Sequence, residues 1–433
     1  MDMVTIVIVG VVALLGLIFL HVPLGIAMTV VGFFGYLAQT GNVSAAFSLF
    51  STEAVAVFSS TDLAIIPLFL LMGSFAGTAG LSADVYRLAS AFFGHRRGGL
   101  AYASVAGCGG FGMVCGSSVA TMLTFARIGL PETEKRGYSS ALGAGTIAAG
   151  GTLGQLIPPS TIIILYAYLT EQFVIELFMA AVVPGLLVMA AYAAAVAIYT
   201  GFWPQAAPLG ERVGWPGRIM VLGETWAILL IVLMVMGGIY GGIFTVNEAA
   251  AVGVGLTLLF TAARGKLRGE SFWSALFETA CNIGMIYLTI FGAHIFSYFI
   301  TISQTPHMVV DWITSLNMAP MSVIWSLIVM YIIVGTVFDE VAAMVITLPF
   351  VFPLVVGLGY DPVRWGIVNL MVIAIGMIAP PIGLNVFVLH GVRPDIPLST
   401  IYRGIAPFFF ADLFVLALIV FFPTITLWLP STM

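Results

Sequence analysis

Two copies of a Gly-x-x-x-Pro-Pro motif are the strongest chemical signal in this sequence. The first runs from Gly154 to Pro159, and the second runs from Gly376 to Pro381, 222 residues later. Proline has no N–H and clashes with the preceding helical turn, so two prolines in succession should unwind a helix and free its carbonyls. Inside a membrane those carbonyls need a partner, which a cation or a water-filled cavity supplies. A kink satisfied by neighbouring side chains is the alternative for one copy, but two copies favour an ion or substrate site.

Two pairs of polar residues occupy matching positions at the same offset of 222 residues. Ser117-Ser118 and Asp339-Glu340 each interrupt a long apolar segment. Carboxylates inside a membrane are costly and are therefore usually functional. We predict that Asp339 and Glu340 act as cation ligands or gate residues. The competing interpretation is that Asp339 only caps the helix that follows it.

Other ionisable residues lie in apolar segments with less certain roles. Arg127 could extend its side chain to the membrane interface, or it could contact an anionic substrate, and both interpretations stay open. Glu248, Glu278 and Asp412 lie nearer to the ends of predicted spans, which favours structural roles. His294 is predicted to be a packed neutral imidazole, with a proton site as the alternative.

The composition narrows the class of protein. Only 8% of the 433 residues are charged, 61% are hydrophobic and the mean hydropathy is +1.13, whereas a typical soluble domain is about 25% charged. This excludes a soluble enzyme, a nucleic-acid binder and a disordered chain. The sequence has no P-loop and no interfacial acid–base cluster. We therefore expect no enzymatic activity, no nucleotide and no redox cofactor.

The hydrophobic runs predict an all-α polytopic membrane protein with about ten transmembrane helices and two re-entrant helical hairpins. The hairpins are the two long stretches whose glycine-rich or acidic centres do not suit contact with lipid. Segments 43–58 and 305–317 are predicted to lie along the membrane surface. The spans are predicted at 3–20, 22–38, 63–80, 138–170, 172–200, 219–240, 245–263, 272–300, 362–390 and 402–428, and the hairpins at 98–131 and 321–356.

An internal repeat relates the two halves of the chain. Residues 117–159 and 339–381 align without a gap and are identical at nine positions, which include both prolines of each motif. Five predicted spans separate the copies, and an odd number inverts the second copy in the membrane. Inverted repeats with broken helices are typical of secondary transporters. We predict one permease over 1–433, with repeat one at about 43–200, a linker at 201–218 and repeat two at about 219–433.

The distribution of basic residues predicts the orientation of the chain. With the N-terminus outside and each hairpin returning to the side from which it enters, 12 of the 14 Lys and Arg residues fall in cytoplasmic loops. Both termini, Met1 and Met433, are then on the outer side of the membrane.

Several blocks of the sequence occur in an order that resembles a known family. They are IIPLFLLMG at 65–73, GSSVAT at 116–121, IPPS at 157–160 and PPIGLNVFV at 380–388. Together they resemble the large membrane subunit of tripartite ATP-independent periplasmic (TRAP) transporters, the DctM type, over essentially the whole chain. The chain departs from the usual pattern of that family at Arg127 and Cys115.

The resemblance implies a Na⁺-coupled secondary transporter in a bacterial inner membrane, with both termini periplasmic, that imports an organic anion such as a carboxylate or sugar acid. It implies a small four-helix membrane subunit and a periplasmic substrate-binding protein as partners. The implied fold is that of an elevator transporter of the ion transporter superfamily, in which a domain holding the hairpins and broken helices slides against a scaffold. A self-sufficient Na⁺/carboxylate carrier without a binding protein is the alternative.

The resemblance also implies the residues that bind the coupling ions and the substrate. One Na⁺ site would use Ser117, Ser118 and the backbone around Gly154, Ile157 and Pro158. A second Na⁺ site would use Asp339, the backbone around Gly376, Ala379 and Pro380, and Asn385. The substrate site would include Ser118, Thr121, Arg127, Gln155, Glu340 and Asn385.

Overall fold

The computed structural model describes residues 3–210, 212–315 and 318–432, and within these ranges the chain is helical without any β-strand. The first half contains α1 Met3–Phe19, α2 Leu24–Thr40, α3 Val43–Phe58, α4 Ile65–Ala79, α5 Leu81–Phe93, α6 Gly99–Cys115, α7 Ser118–Lys135, α8 Ser140–Leu156, α9 Thr161–Leu169 and α10 Val174–Phe202. The second half contains α11 Trp215–Glu224, α12 Trp226–Tyr240, α13 Val246–Ala263, α14 Gly269–Ile302, α15 Thr305–Ser315, α16 Pro320–Val337, α17 Glu340–Gly357, α18 Pro362–Ile378, α19 Leu384–Val392, α20 Leu398–Phe421 and α21 Thr424–Leu427.

The described helices confirm an all-α polytopic membrane protein. Seven of them are long and apolar enough to cross a bilayer, and two bent helix pairs raise this number to as many as nine. Large apolar side chains such as Phe19 and Phe277 are exposed on the outside, as contact with lipid requires. Met1 and Met433, for which an outer location is predicted, lie outside the described residues.

The repeat extends to the boundaries of the helices. α7 and α17 begin at Ser118 and Glu340, and α8 and α18 begin at Ser140 and Pro362, 222 residues apart in each case. The same offset relates α2 to α13. Packing follows this relationship, because α2 lies against α14 of the other half while α13 lies against α4. Each repeat therefore supplies a helix that packs against the other repeat.

Both predicted hairpins are present as pairs of helices that share a tip. α6 and α7 meet at Gly116 and Ser117, and α16 and α17 meet at Phe338 and Asp339. Gly116 has a φ of +66°, a left-handed conformation that glycine adopts without steric cost. The two turns lie within the predicted polar centres, but the glycine run at 107–112 is helical and belongs to α6.

Both Pro-Pro motifs break their helices, as predicted. α8 and α9 are separated by residues 157–160 and differ in direction by 44°. α18 and α19 are separated by residues 379–383. Each pair therefore forms a discontinuous helix whose hydrogen-bond ladder is interrupted at its centre.

The span predicted over 219–240 is broken rather than straight. The segment belongs to α11 and α12, which meet at an angle of 62°. Thr225 lies at this break, where its hydroxyl donates a hydrogen bond to the carbonyl of Val221 (2.8 Å). A hydropathy profile passes over this break, since a single threonine barely changes the average of an apolar window.

Helix α5 was not expected from the hydropathy profile, which treated its Arg87 as part of a loop. Its charged residues lower the average hydropathy, but they are paired in the structure. Asp84 forms a salt bridge with Arg264 (2.5 Å), and Arg87 forms one with Glu224 of α11 (3.0 Å). The helix packs along α6 and connects the hairpin to α4, α11 and α12.

Three of the ionisable residues in apolar segments have clear local partners. Glu248 forms a capping box with Thr245 at the start of α13. The buried carboxylate of Asp412 accepts a hydrogen bond from the Tyr192 hydroxyl (2.7 Å), which joins α20 to α10. Structural roles are therefore confirmed for Glu248 and Asp412. His294 lies 2.9 Å from the Glu53 carboxylate of α3.

Candidate functional site

The tip of the first hairpin packs directly onto the end of the first broken helix. Gly112 of α6 and Gly154 of α8 approach so closely that a Cβ on Gly112 would lie 2.6 Å from Cα of Gly154. A Cβ on Gly154 would lie 2.7 Å from the Ser117 carbonyl oxygen and 2.5 Å from Oγ1 of Thr121. Only glycine allows this approach, which brings the hairpin oxygens to the backbone of the broken helix.

Several oxygen atoms around this contact are buried and have no hydrogen-bond partner of normal geometry. They include Oγ1 of Thr121, Oγ of Ser160 and Oδ1 of Asn385, and all three residues are fully buried. Leaving such atoms unpaired is costly in a water-free interior. Hydroxyl, amide and carbonyl oxygens are the ligands that a hard cation prefers. The donor set around Ser117 and Ser118 therefore fits a Na⁺ ion.

Asn385 joins the second repeat to this first set of oxygens. Its side-chain amide donates hydrogen bonds to Oγ of Ser118 (3.0 Å) and to the carbonyl of Ala148 (3.3 Å). Asn385 was expected beside Asp339, but α19 packs on α7 and α8 and carries the amide to the opposite repeat. The oxygen of the same side-chain amide, Oδ1 of Asn385, has no hydrogen-bond partner.

The second hairpin tip is organised differently from the first. Asp339 caps α17, because its Oδ1 accepts a hydrogen bond from the Ala342 backbone N–H (2.6 Å). The carbonyl of Gly376 accepts from the N–H of Ala379 (3.1 Å), so it is already partnered. Gly376 also contacts Gly335 of α16 through the backbone, as Gly154 contacts Gly112. The capping role of Asp339 is therefore present, and its role as a Na⁺ ligand stays a prediction.

Glu340 and Gln155 link the two repeats at the tip of the second hairpin. With its amide nitrogen toward Glu340, Gln155 donates to Oε2 of that carboxylate and accepts from the Ala374 N–H (3.3 Å). Gln155 is 1% exposed and Glu340 is 9% exposed. Gln155 of the first broken helix thus contacts the carboxylate of Glu340. Among the described residues, this is the only carboxylate of the second tip that points inward.

A cavity of about 930 Å³ lies beside the tips, between the first hairpin and helices α4 and α14. Ser117 and Glu340 line its inner end, and Arg127 lines its α7 wall. Arg127 is exposed and lines this cavity, which is compatible with both interpretations of its role, so contact with an anionic substrate stays a prediction. The volume is within the range of small-molecule sites, about 300–1,000 Å³.

The remaining predicted substrate residues lie behind the cavity wall. Ser118 and Asn385 bond to each other, Thr121 is buried against Gly154, and Gln155 contacts Glu340. Contact of these residues with a substrate stays a prediction. The predicted backbone ligands at Ile157, Pro158, Ala379 and Pro380 lie in the two helix breaks.

Helix α14 contributes polar residues to the cavity wall that the sequence did not predict. Glu278, to which a structural role was assigned, lines the cavity and forms no salt bridge with a described residue. Asn282 lies one helical turn farther along the same face. The sequence contained a signal for this face, because Ser274, Glu278 and Asn282 repeat at every fourth residue of α14.

Comparisons with known proteins agree with this architecture. The family model of the tripartite ATP-independent periplasmic transporter, DctM component, matches residues 11–425. The chain is 34% identical over 385 residues to the C4-dicarboxylate TRAP transporter large permease protein DctM of Pseudomonas aeruginosa, covering 87% of this chain and 89% of that protein. It is 31% identical to the isethionate TRAP transporter permease protein DctMQ of Oleidesulfovibrio alaskensis, covering 90% of this chain and 62% of the relative.

Solved structures share the fold at low sequence identity. The YdaH transporter of Alcanivorax borkumensis superimposes with a TM-score of 0.64 at 14% identity, over 88% of each chain. MtrF of Neisseria gonorrhoeae gives a TM-score of 0.59 at 13% identity, over 89% of this chain and 85% of that one. The broken helices, the paired hairpins and the family match over almost the whole length lead to one conclusion: this chain belongs to the DctM family of TRAP transporter large permeases.

Proposed function

We propose that this protein is the large permease subunit of a Na⁺-coupled secondary transporter that imports an organic solute carrying an acidic group. The observation that carries the proposal is the cavity that reaches from both hairpin tips, at Ser117 and Glu340, to the guanidinium of Arg127. A cavity beside two discontinuous helices is the arrangement expected of a substrate site with adjoining ion sites.

The unpaired oxygens around the first hairpin tip support the coupling to Na⁺. The backbone of Ser117 and the side chains of Ser118, Thr121 and Asn385 supply neutral oxygens at one place. A monovalent cation there would satisfy the buried oxygens without adding a fixed negative charge. In this proposal the ion links the first hairpin to α19, so that its binding stabilises the tip against the broken helices.

The positions of the basic residues suggest the side to which the cavity opens. Thr78 of α4 and Ser271 of α14 line the end away from the tips. The α4 terminus beside it accepts hydrogen bonds at the Ala79 carbonyl from Arg264 (3.1 Å) and Lys266 (3.0 Å). Basic residues concentrate on the cytoplasmic side. We infer that the cavity faces the cytoplasm of a bacterial inner membrane, with both chain ends periplasmic.

Contacts between the repeats support a single moving unit. Arg393, which follows α19, forms salt bridges with Glu134 at the end of α7 (2.5 Å) and with Asp395 (2.6 Å). Together with the Gln155–Glu340 contact, this pairing ties both hairpins and both broken helices into one body. In the proposed elevator mechanism, that body slides against a scaffold that includes α2, α4, α13 and α14.

Two partners belong to the proposal, a small membrane subunit and a periplasmic substrate-binding protein. The relative from Oleidesulfovibrio alaskensis is longer than this chain, which spans 62% of it, and its name, DctMQ, combines two components. The named relatives act on C4-dicarboxylates, isethionate, sialic acid and ectoine. All of these solutes carry a carboxylate or sulfonate, which suits Arg127.

Reconstitution in liposomes tests the proposal. We expect solute uptake to require an inward Na⁺ gradient together with the small subunit and the binding protein, and to be independent of ATP. Replacing Na⁺ with K⁺ at the same membrane potential should abolish uptake. Undiminished uptake in K⁺ would contradict Na⁺ coupling. Transport by the chain alone, without a binding protein, would instead support the self-sufficient carrier.

A further inference from the structure

The cavity wall carries three charged side chains from three different helices. They are Arg127 of α7, Glu278 of α14 and Glu340 at the start of α17. Glu340 is engaged by Gln155, whereas Arg127 and Glu278 form no salt bridge with any described residue. The first hairpin and α14 thus present one free guanidinium and one free carboxylate to the same space.

The carboxylate of Glu278 is part of a polar stripe. Ser274, Glu278 and Asn282 are spaced four residues apart and all line the cavity, so they form one face of α14. Asn282 and Ser274 add oxygen acceptors on either side of the carboxylate. This face of α14 can therefore accept hydrogen bonds from a ligand, and it is too polar to suit contact with lipid.

The balance of charge on the wall argues against a doubly negative solute. One guanidinium stands against two carboxylates, and each carboxylate would repel a second acidic group on the ligand. A ligand with one acidic group and one protonated nitrogen meets a partner at each end. Such complementarity is how sites discriminate between ligands of similar size.

We propose that the solute carried through this cavity is a compact zwitterion, with its carboxylate on Arg127 and its protonated nitrogen on Glu278 and the adjoining stripe of α14. The proposal rests on the transport function given above and specifies the class of its substrate. A carboxylate on Arg127 makes a charge-assisted and geometrically matched pair. A protonated amine or amidinium is a donor of the kind that Glu278 and Asn282 accept.

Three probes of matched length test this proposal on the full chain, purified with its small subunit in Na⁺. Butyrate has one acidic group, succinate has two, and γ-aminobutyrate replaces one of these with an ammonium group. Binding is measured by titration calorimetry and by thermal shift, with ectoine as a cyclic zwitterion. We expect γ-aminobutyrate or ectoine to bind at least about tenfold more tightly than succinate, a factor that corresponds to about 1.4 kcal/mol.

Variants that change the charge of single cavity residues show which side chains cause the preference for zwitterions. Glu278→Gln should weaken binding of the zwitterions about tenfold or more and leave butyrate binding unchanged. Arg127→Gln should weaken the binding of all the acids. Glu278→Asp should restore part of the preference for zwitterions. Glu270→Gln is the matched control, because Glu270 lies on α14 but does not line the cavity.

A second measurement uses a thiol that already lines the cavity. In a Cys281→Ser background, a bound zwitterion should slow alkylation of Cys115, and Glu278→Gln should remove this protection. The proposal is overturned if the wild type binds no zwitterion, if it binds succinate as tightly, or if zwitterion binding survives Glu278→Gln. Each of these results can occur while uptake still depends on Na⁺, so failure of the substrate class is distinguishable from failure of the transport function.

Discussion

At the scale of single residues, the proposed ion site has more neutral oxygens than carboxylates around it. The first tip offers Ser117 and Ser118 and gains the amide of Asn385 from the other repeat. The acidic second tip directs Asp339 into a helix cap and Glu340 onto Gln155. Two tips that are equivalent in the repeat therefore have different chemistry, because a capping carboxylate has fewer free lone pairs for an ion than a set of unpaired oxygens has.

The contact between Ser118 and Asn385 predicts energetic coupling in ion binding. Ser118→Ala and Asn385→Ala should each raise the Na⁺ concentration needed for half-maximal uptake. Since the two side chains share a hydrogen bond of 3.0 Å, the double variant should lose less than the sum of the single losses, with a coupling of about 0.5–3 kcal/mol. A double-mutant cycle on the Na⁺ dependence of uptake measures this value. Strict additivity would place the two residues in independent roles.

Two substitutions of Asp339 separate its effect on protein stability from its effect on Na⁺ binding. Asp339→Ala removes the bond to the Ala342 N–H and should lower the stability of the purified protein by about 1 kcal/mol. Asp339→Asn should keep that stability, because asparagine caps as well as aspartate. We expect Asp339→Asn nonetheless to raise the Na⁺ requirement for transport. Wild-type Na⁺ dependence in this variant would remove Asp339 from the ion site and leave only the cap.

At the scale of the elements, close helix contacts hold the tips in register with the broken helices. Gly112 and Gly154 allow α6 to touch α8, and Gly335 and Gly376 allow α16 to touch α18. The salt bridge between Arg393 and Glu134 then closes the end of the unit far from the tips. The broken helices and the hairpins are positioned by backbone contact, so small changes in side-chain volume at these glycines should be transmitted to the ion site.

Gly154→Ala tests this dependence on backbone contact. The added methyl group would lie 2.5 Å from Oγ1 of Thr121 and 2.7 Å from the Ser117 carbonyl, so the hairpin tip must move away. We expect a loss of stability of about 1–3 kcal/mol and a larger Na⁺ requirement for uptake. Gly391→Ala in α19 is the matched control, since nothing lies within 4 Å of its added methyl group and helix propensity should slightly improve. Equal behaviour of the two variants would contradict the proposed role of the contact.

At the scale of the whole molecule, the cavity lies at the border between the hairpin unit and the α4–α14 scaffold. Its walls come from both bodies, so relative sliding would change the shape of the cavity and its access to either side. The paired packing of α2 with α14 and of α13 with α4 gives the scaffold contacts from both repeats. Such an arrangement suits a rigid frame around a moving unit.

Cross-linking across the cavity tests whether the two bodies move. Cysteines are introduced at Thr124 of α7 and Ser274 of α14, which both line the cavity, in a chain with Cys115 and Cys281 replaced by serine. A cleavable bifunctional maleimide should abolish uptake in the double variant, and cleavage of the linker should restore it. Each single cysteine variant, treated in the same way, is the control. Undiminished transport after complete cross-linking would exclude sliding of α7 against α14.

The sequence by itself determined the class of the protein, the two hairpins and the two breaks. These features follow from local physics: runs of apolar residues require a bilayer, prolines remove backbone donors, and glycine or acidic centres avoid lipid. The repeat at an offset of 222 residues added a long-range constraint, because two segments with a shared pattern form the same helices. The sharp bend at Thr225 escaped this reasoning, since one polar residue within an apolar window leaves no clear local signal.

Only the tertiary structure decided which side chains meet. Asn385 reaches Ser118 across 267 positions of the chain because α19 packs on α7 and α8 of the other repeat as well as on helices of its own. Arg127 of α7 and Glu278 of α14 line the same cavity because α4 and α14 lie beside the first hairpin. The physical reason is that helix formation depends on neighbours in sequence, whereas the face that a helix presents depends on all the helices packed against it.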